Sequence, residues 1–154
     1  MADLAYIGSK VQAQTKVYLF AGAAFLWHGM KDATMDIDVC CSYEEADRIV
    51  HALRAFGRME YVTGINEIRF IRIFLKPFTL QIFIKEVWMG DEYQLLESAH
   101  CDSLIFGGVT FLIPDIKTLI MIKDRQIQAL YNEWKKLKDE ICIWILAMIF
   151  VFHL

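Results

Sequence analysis

At 154 residues the chain is long enough for one domain with a sizeable core. Its formal net charge of −3 at pH 7 removes the electrostatic ground for broad nucleic-acid binding, and a hydrophobic fraction of 56% leaves apolar surface for a partner to cover. The four cysteines, Cys40, Cys41, Cys101 and Cys142, lack the paired spacing of a structural zinc site; free thiols and an N-terminus without a secretory pattern predict a reducing cytoplasm.

From the N-terminus, residues 3–15 carry Leu4, Ile7 and Val11, with Gln14, at helical spacing, which predicts a first helix. Val17 to Phe20 predicts a short buried strand, and Ala23 to Gly29 a short helix closed by glycine. Asp36 to Cys41 predicts a second strand, with Cys40 and Cys41 as core filler on opposite faces. Ser42, followed by Glu44 and Glu45, caps a helix that runs to about Phe56 and stops at Gly57. Three strand-like runs follow: Arg58 to Val62, Glu67 to Phe74 and Phe78 to Val87. Thr63-Gly64-Ile65-Asn66 reads as a hairpin turn between the first two, and Lys76-Pro77 breaks the second from the third. Tyr93 to Leu96 fits either a short strand or a short helix.

Ser103 to Phe106 and Val109 to Ile113 flank Gly107-Gly108 as a further hairpin. Pro114 then takes the first position of the helices that fill residues 114–154. This order predicts one α/β (α+β) domain over residues 1–154, a mixed sheet (core 15–113) with helices mostly on one face. Lys135, Lys136 and Lys138 read as a solvated helix face rather than an RNA patch. Ile141 to Leu154 carries no charge apart from a titratable His153, but falls short of the roughly twenty apolar residues that span a bilayer, so membrane insertion is not expected. A helix apolar on every side must be covered, which predicts a homodimer or a complex with a protein partner over part of that segment.

The densest chemistry lies in Thr34-Met35-Asp36-Ile37-Asp38-Val39. Two aspartates separated by one apolar residue on a strand point to the same face, while Ile37 and Val39 anchor the other. Two hard oxygen ligands on one face suit a Mg²⁺ ion that also holds substrate phosphates. Upstream, Val17 to Ala24 reads as a strand, a small-residue turn at Gly22 and a helix start, whose free N–H groups suit a phosphate. The two halves describe a phosphate cradle beside a divalent-metal site.

This combination resembles the nucleotidyltransferase fold, and within it the small stand-alone (minimal) domains found as antitoxins or orphan proteins in prokaryotes. The motif stands here as Leu19-Phe20-Ala21-Gly22-Ala23-Ala24, then His28-Gly29, Lys31, Thr34 and Asp36-Ile37-Asp38. Ala23 departs from the Gly or Ser usual at its position. Further along, Ile113-Pro114-Asp115, Lys123 and Lys138-Asp139 echo the family more weakly. The resemblance implies binding of ATP or another nucleoside triphosphate with Mg²⁺. Asp36 and Asp38 would be the catalytic, metal-holding carboxylates; the Gly22-Ala23 backbone would cradle phosphates, with Thr34 and Lys123 also on the nucleotide. It further implies transfer of a nucleoside monophosphate to a hydroxyl on protein, RNA or a small molecule, in the setting of an antitoxin acting on its toxin. Active members carry a third carboxylate on a later strand. Phe78 to Ile84 is the strand that should supply it, and there the chain has Gln81, with Glu86 the nearest acid downstream. An amide neither neutralises metal charge nor accepts a proton. Two readings follow: an active transferase, or a degenerate domain that binds or oligomerises. His28, beside Trp27, reads as structural, and Trp27, Trp88, Trp134 and Trp144 as core or interface aromatics.

Overall fold

The computed structural model describes residues 1–63, 68–87 and 92–152, without the side chains of Ile68 and of 149–152. The chain divides into two compact units, Met1–Ile120 and Met121–Leu154.

The first unit is built on seven strands: β1 (Thr15–Phe20), β2 (Asp36–Cys41), β3 (Arg58–Thr63), β4 (Ile68–Leu75), β5 (Phe78–Ile84), β6 (Cys101–Phe106) and β7 (Val109–Pro114). They form one mixed sheet in the order β3-β4-β5-β2-β1-β7-β6. β1 pairs with β7, and β2 with β5, in parallel; the other neighbours are antiparallel. The helices are α1 (Ala2–Lys10), α2 (Ala21–Trp27), α3 (Tyr43–Leu53) and α4 (Glu92–Ser98), followed by α5 (Ile116–Phe152). The mixed α/β sheet with flanking helices is the architecture expected from the order of elements.

Alternation along the central strands decides the layers. Val17, Leu19, Ile37, Val39, Leu80 and Ile82 are all buried on one face, under Leu4 and Ile7 of α1 and Ala46, Ile49 and Leu53 of α3. The opposite face is only half-buried along β4 and β5, and α4 covers its far end through an edge-on contact between Tyr18 and Tyr93 at 5.8 Å. Ser42 closes a full capping box on α3: its hydroxyl accepts from the Glu45 N–H while the Glu45 carboxylate accepts from the Ser42 N–H.

Two local expectations are revised, at the end of the first helix and at Pro114, and two left open are decided. The first helix ends at Lys10 rather than near residue 15, because the Val11 carbonyl accepts from Gly108 N–H at 3.0 Å and Thr15 N–H turns back to Gly108 O at 2.8 Å. Only glycine fits there, since a Cβ on Gly108 would stand 2.2 Å from that carbonyl oxygen. Tyr93 to Leu96 is helical, within α4. Pro114 closes β7 instead of opening a helix; the start belongs to Asp115, whose carboxylate accepts from Thr118 N–H at 2.8 Å. A single helix of 37 residues follows, where one or two were expected. The turn expected at Thr63-Gly64-Ile65-Asn66 falls largely on 64–67, outside the described residues, as does Trp88.

Candidate nucleotide and metal site

The site begins where β1 meets α2 without a loop. Phe20 is extended (φ −144°, ψ −174°) and the next residue already belongs to the helix. The chain makes that turn at Ala21, which holds φ at +52°, a left-handed conformation costing an L-residue about 1–2 kcal/mol. The turn expected at Gly22 is therefore one residue earlier. What Gly22 supplies is room: a Cβ there would lie 2.7 Å from Thr34 Oγ1 and 3.3 Å from Lys31 Nζ. The Thr34 hydroxyl donates to the Asp36 carbonyl at 3.0 Å and also lies 3.4 Å from the Asp36 N–H. Lys31 and Thr34 thus close on Gly22, and Thr34 ties that corner to the first residue of β2.

Along β2, Asp36 is exposed and Asp38 half-buried, while Ile37 and Val39 between and beyond them are 4% and 1% exposed. Both carboxylates leave the same face of the strand, their Cα atoms about 7 Å apart by strand geometry. Pairing extends the Asp38 position into a row. Gln81 is in register with Asp38, Arg72 with Gln81 and Glu60 with Arg72. Arg72 donates to Glu60 at 3.4 Å and stacks over Phe70, 5.5 Å from its ring. Phe20, in register with Asp38 from the other side, meets Phe83 edge-on at 5.1 Å, and Phe83 stacks on Phe70 at 5.0 Å. The polar row Asp38-Gln81-Arg72 is therefore bordered along one side by aromatic rings.

No protein-family model matches the sequence, and a search of curated proteins finds no match either. Structure is more telling. A crystal structure of a candidate nucleotidyltransferase from Thermotoga maritima is similar with a TM-score of 0.61, at 12% sequence identity, over 90% of this chain and 92% of that one. The fold is nucleotidyltransferase-like. At that identity the likeness speaks for the architecture, and the chemistry has to be argued from this chain's own residues.

In this nucleotidyltransferase-like sheet, the register settles the question of the third acid. Gln81 occupies the position directly beside Asp38, and Glu86 is not an alternative. Glu86 lies past the end of β5, where its carboxylate accepts from Tyr43 N–H at 3.1 Å at the start of α3, the other end of β2 from Asp36. Among the described residues no three His, Cys, Asp or Glu side chains gather as a metal group. Two carboxylates and an amide fit one Mg²⁺ shared with substrate phosphates, since that ion uses one or two carboxylates and keeps several waters. They do not fit a two-ion centre, which needs more anionic oxygen.

The Ala23 side chain is buried and lines a cavity of about 210 Å³ with Leu4, Leu19, Trp27, Ile37 and Thr34. Lys123 is exposed on α5, in the second unit. His28 is structural: its Nε2 is 2.8 Å from the Pro114 carbonyl oxygen, and Trp27 Nε1 donates to Asp102 at 3.1 Å. Arg72 was not singled out by the sequence. Its only signal there is a polar residue alternating with Ile71 and Ile73, and strand pairing was needed to bring it next to Gln81.

Proposed function

We propose that the chain binds a nucleoside triphosphate with one Mg²⁺ at Asp36 and Asp38 and transfers its nucleoside monophosphate to a hydroxyl of a protein, RNA or small molecule. The observation that carries this reading is the pair of carboxylates on one face of β2, entered through a segment where Thr34 and Lys31 meet Gly22. A divalent ion there would neutralise the triphosphate and the pyrophosphate that leaves. The chain's own contribution is positioning. Asp36 and Asp38 would hold the ion, the Lys31 ammonium beside Gly22 would meet phosphate charge, and Thr34 fixes the start of β2. The acceptor oxygen forms its bond to the α-phosphorus as the bond to pyrophosphate breaks. Gln81 cannot take the acceptor's proton, which leaves to water. The family resemblance makes a toxin of a two-gene pair the first acceptor to try.

A second reading is favoured by one observation, the amide at position 81 in register with Asp38. Here the chain retains the nucleotide site without turnover and acts as a binding module. Calorimetry with ATP and Mg²⁺ on the native chain, Asp36→Ala and Asp38→Ala tests the shared part: binding heat lost in both variants is expected. Absence of heat in the native chain defeats the nucleotide reading. Incubation with α-phosphate-labelled triphosphates then decides between transfer and binding alone.

A further inference from the structure

We propose that the second unit is one half of a parallel two-stranded coiled coil, its other half a second copy of this chain. This rests on observations independent of the nucleotide site. Along α5 the apolar residues recur at alternating spacings of three and four. The a positions are Ile127, Trp134, Ile141 and Met148, and the d positions between them are Leu130, Leu137 and Trp144. Each of these seven side chains is exposed, from 52% upward: Ile127 52%, Leu130 66%, Trp134 56%, Leu137 59%, Ile141 52%, Trp144 71% and Met148 56%. Three sustained heptads, the first two with charge at g or e, carry the sequence mark of a coiled coil, and the 22 residues from Ile127 to Met148 form a seam roughly 33 Å long. Isoleucine at two of the four a positions and leucine at two of the three d positions favour two strands over three or four, with Trp134, Met148 and Trp144 at the rest.

The flanking charges choose the partner and its direction. Glu133 and Glu140 take g positions and Lys138 an e position. In a parallel pair, g of one helix faces the next e of the other, so Glu133 meets Lys138 of the second copy, twice by symmetry. An antiparallel pair sets g against g and brings the glutamates together, which is unfavourable. Lys138 already leans toward the seam, its Nζ 5.3 Å over the Trp134 ring. A second copy therefore supplies both the apolar stripe and the complementary charge, which no arbitrary apolar surface does.

Sedimentation equilibrium on the full chain tests this with three variants. The native chain is expected to be dimeric at tens of micromolar. Leu130→Glu combined with Leu137→Glu should raise the dissociation constant about a hundredfold or more, since four buried leucines are lost per dimer. Glu133→Lys alone and Lys138→Glu alone change only exposed charges, and each should weaken the dimer about tenfold. An equimolar mixture of those two single variants should recover native affinity as a heterodimer, because only in parallel register does each new charge meet its opposite. A native chain that is monomeric at about 100 µM overturns the proposal. So does a dimer indifferent to the leucine substitutions, or one that Glu133→Lys strengthens, as an antiparallel pair would require. A monomer that partitions onto phosphatidylcholine vesicles through this helix would give the seam to lipid instead, and also defeats it.

Discussion

Gln81→Glu is the substitution that bears most directly on how the site handles charge. It restores a carboxylate beside Asp38 in the β2–β5 register, with Arg72 on its other side. Neighbouring strands are about 4.8 Å apart, so each partner's charge lies roughly 5 Å away. On a half-exposed face with an effective dielectric near 60, each such pair is worth about 1 kcal/mol. Repulsion from Asp38 and attraction to Arg72 then nearly cancel, and the part of Arg72 already engaged with Glu60 tips the balance slightly toward destabilisation. The expected melting shift is no more than about 2–4 °C for a chain of this size. Added Mg²⁺ should reverse the sign, because a third anionic oxygen joins the set. A gain of about 1–2 kcal/mol, or five- to thirtyfold in affinity, is reasonable for one hard ligand. Calorimetry with Mg²⁺, alone and with a non-hydrolysable ATP analogue, measures that gain; scanning fluorimetry against Mg²⁺ concentration gives it independently through ligand-linked stabilisation. Unchanged metal affinity would refute the argument that residue 81 and the aspartates converge on one ion. A melting loss above about 10 °C would show that Gln81 holds the sheet together rather than the site.

Three further outcomes follow from the same geometry. Gly22→Ala gains about 0.5–1 kcal/mol of helix propensity but displaces the Thr34 hydroxyl from Asp36, a loss of about 1 kcal/mol; thermal melts should therefore barely change while calorimetry shows nucleotide affinity falling about tenfold. The Thr118 N–H bond, helped by His100, holds the Asp115 carboxyl below its ordinary range. A depressed folded value means that its stabilisation is full above the unfolded value of about 3.9 and is lost as pH falls through the folded one. Asp115→Ala should thus cost about 1 kcal/mol at neutral pH, and the gap from the native chain should close in melts run at strongly acidic pH. Burial pushes the thiols of Cys40 and Cys41 far up from their ordinary value, so at pH 8 they stay protonated, and Cys142, exposed on α5, should give the one fast phase with a thiol-specific disulfide reagent. Rapid labelling of Cys40 or Cys41 would contradict the close burial of β2.

What could be read from the chain beforehand followed the range of the interaction. Asp36 to Cys41 matched its expected strand end for end because alternation and the Ser42-Glu45 capping box are local, fixed within a few residues. Strand order was not legible, since nothing in the sequence says that β7 lies beside β1 in parallel or that α1 must stop where Gly108 takes the Val11 carbonyl. The same division runs through the site. Asp36 and Asp38 are neighbours on one strand and could be paired on paper, and the strand that should supply the third ligand could be named. That Gln81 stands directly beside Asp38, with Arg72 and Glu60 continuing the row, depends on three pairings among four strands. Gly22 shows how a motif residue can be right for another reason: the backbone strain sits on Ala21, and the missing side chain serves Thr34, twelve positions away. The long helix carries the opposite lesson. Its heptad spacing is wholly local, yet in the sequence it was masked by the dense apolar residues after Ile141, and it became visible once the helix was seen to continue unbroken from Ile116. Apolar content alone says that something must cover a surface, whereas spacing and the placement of Glu133 and Lys138 say what can.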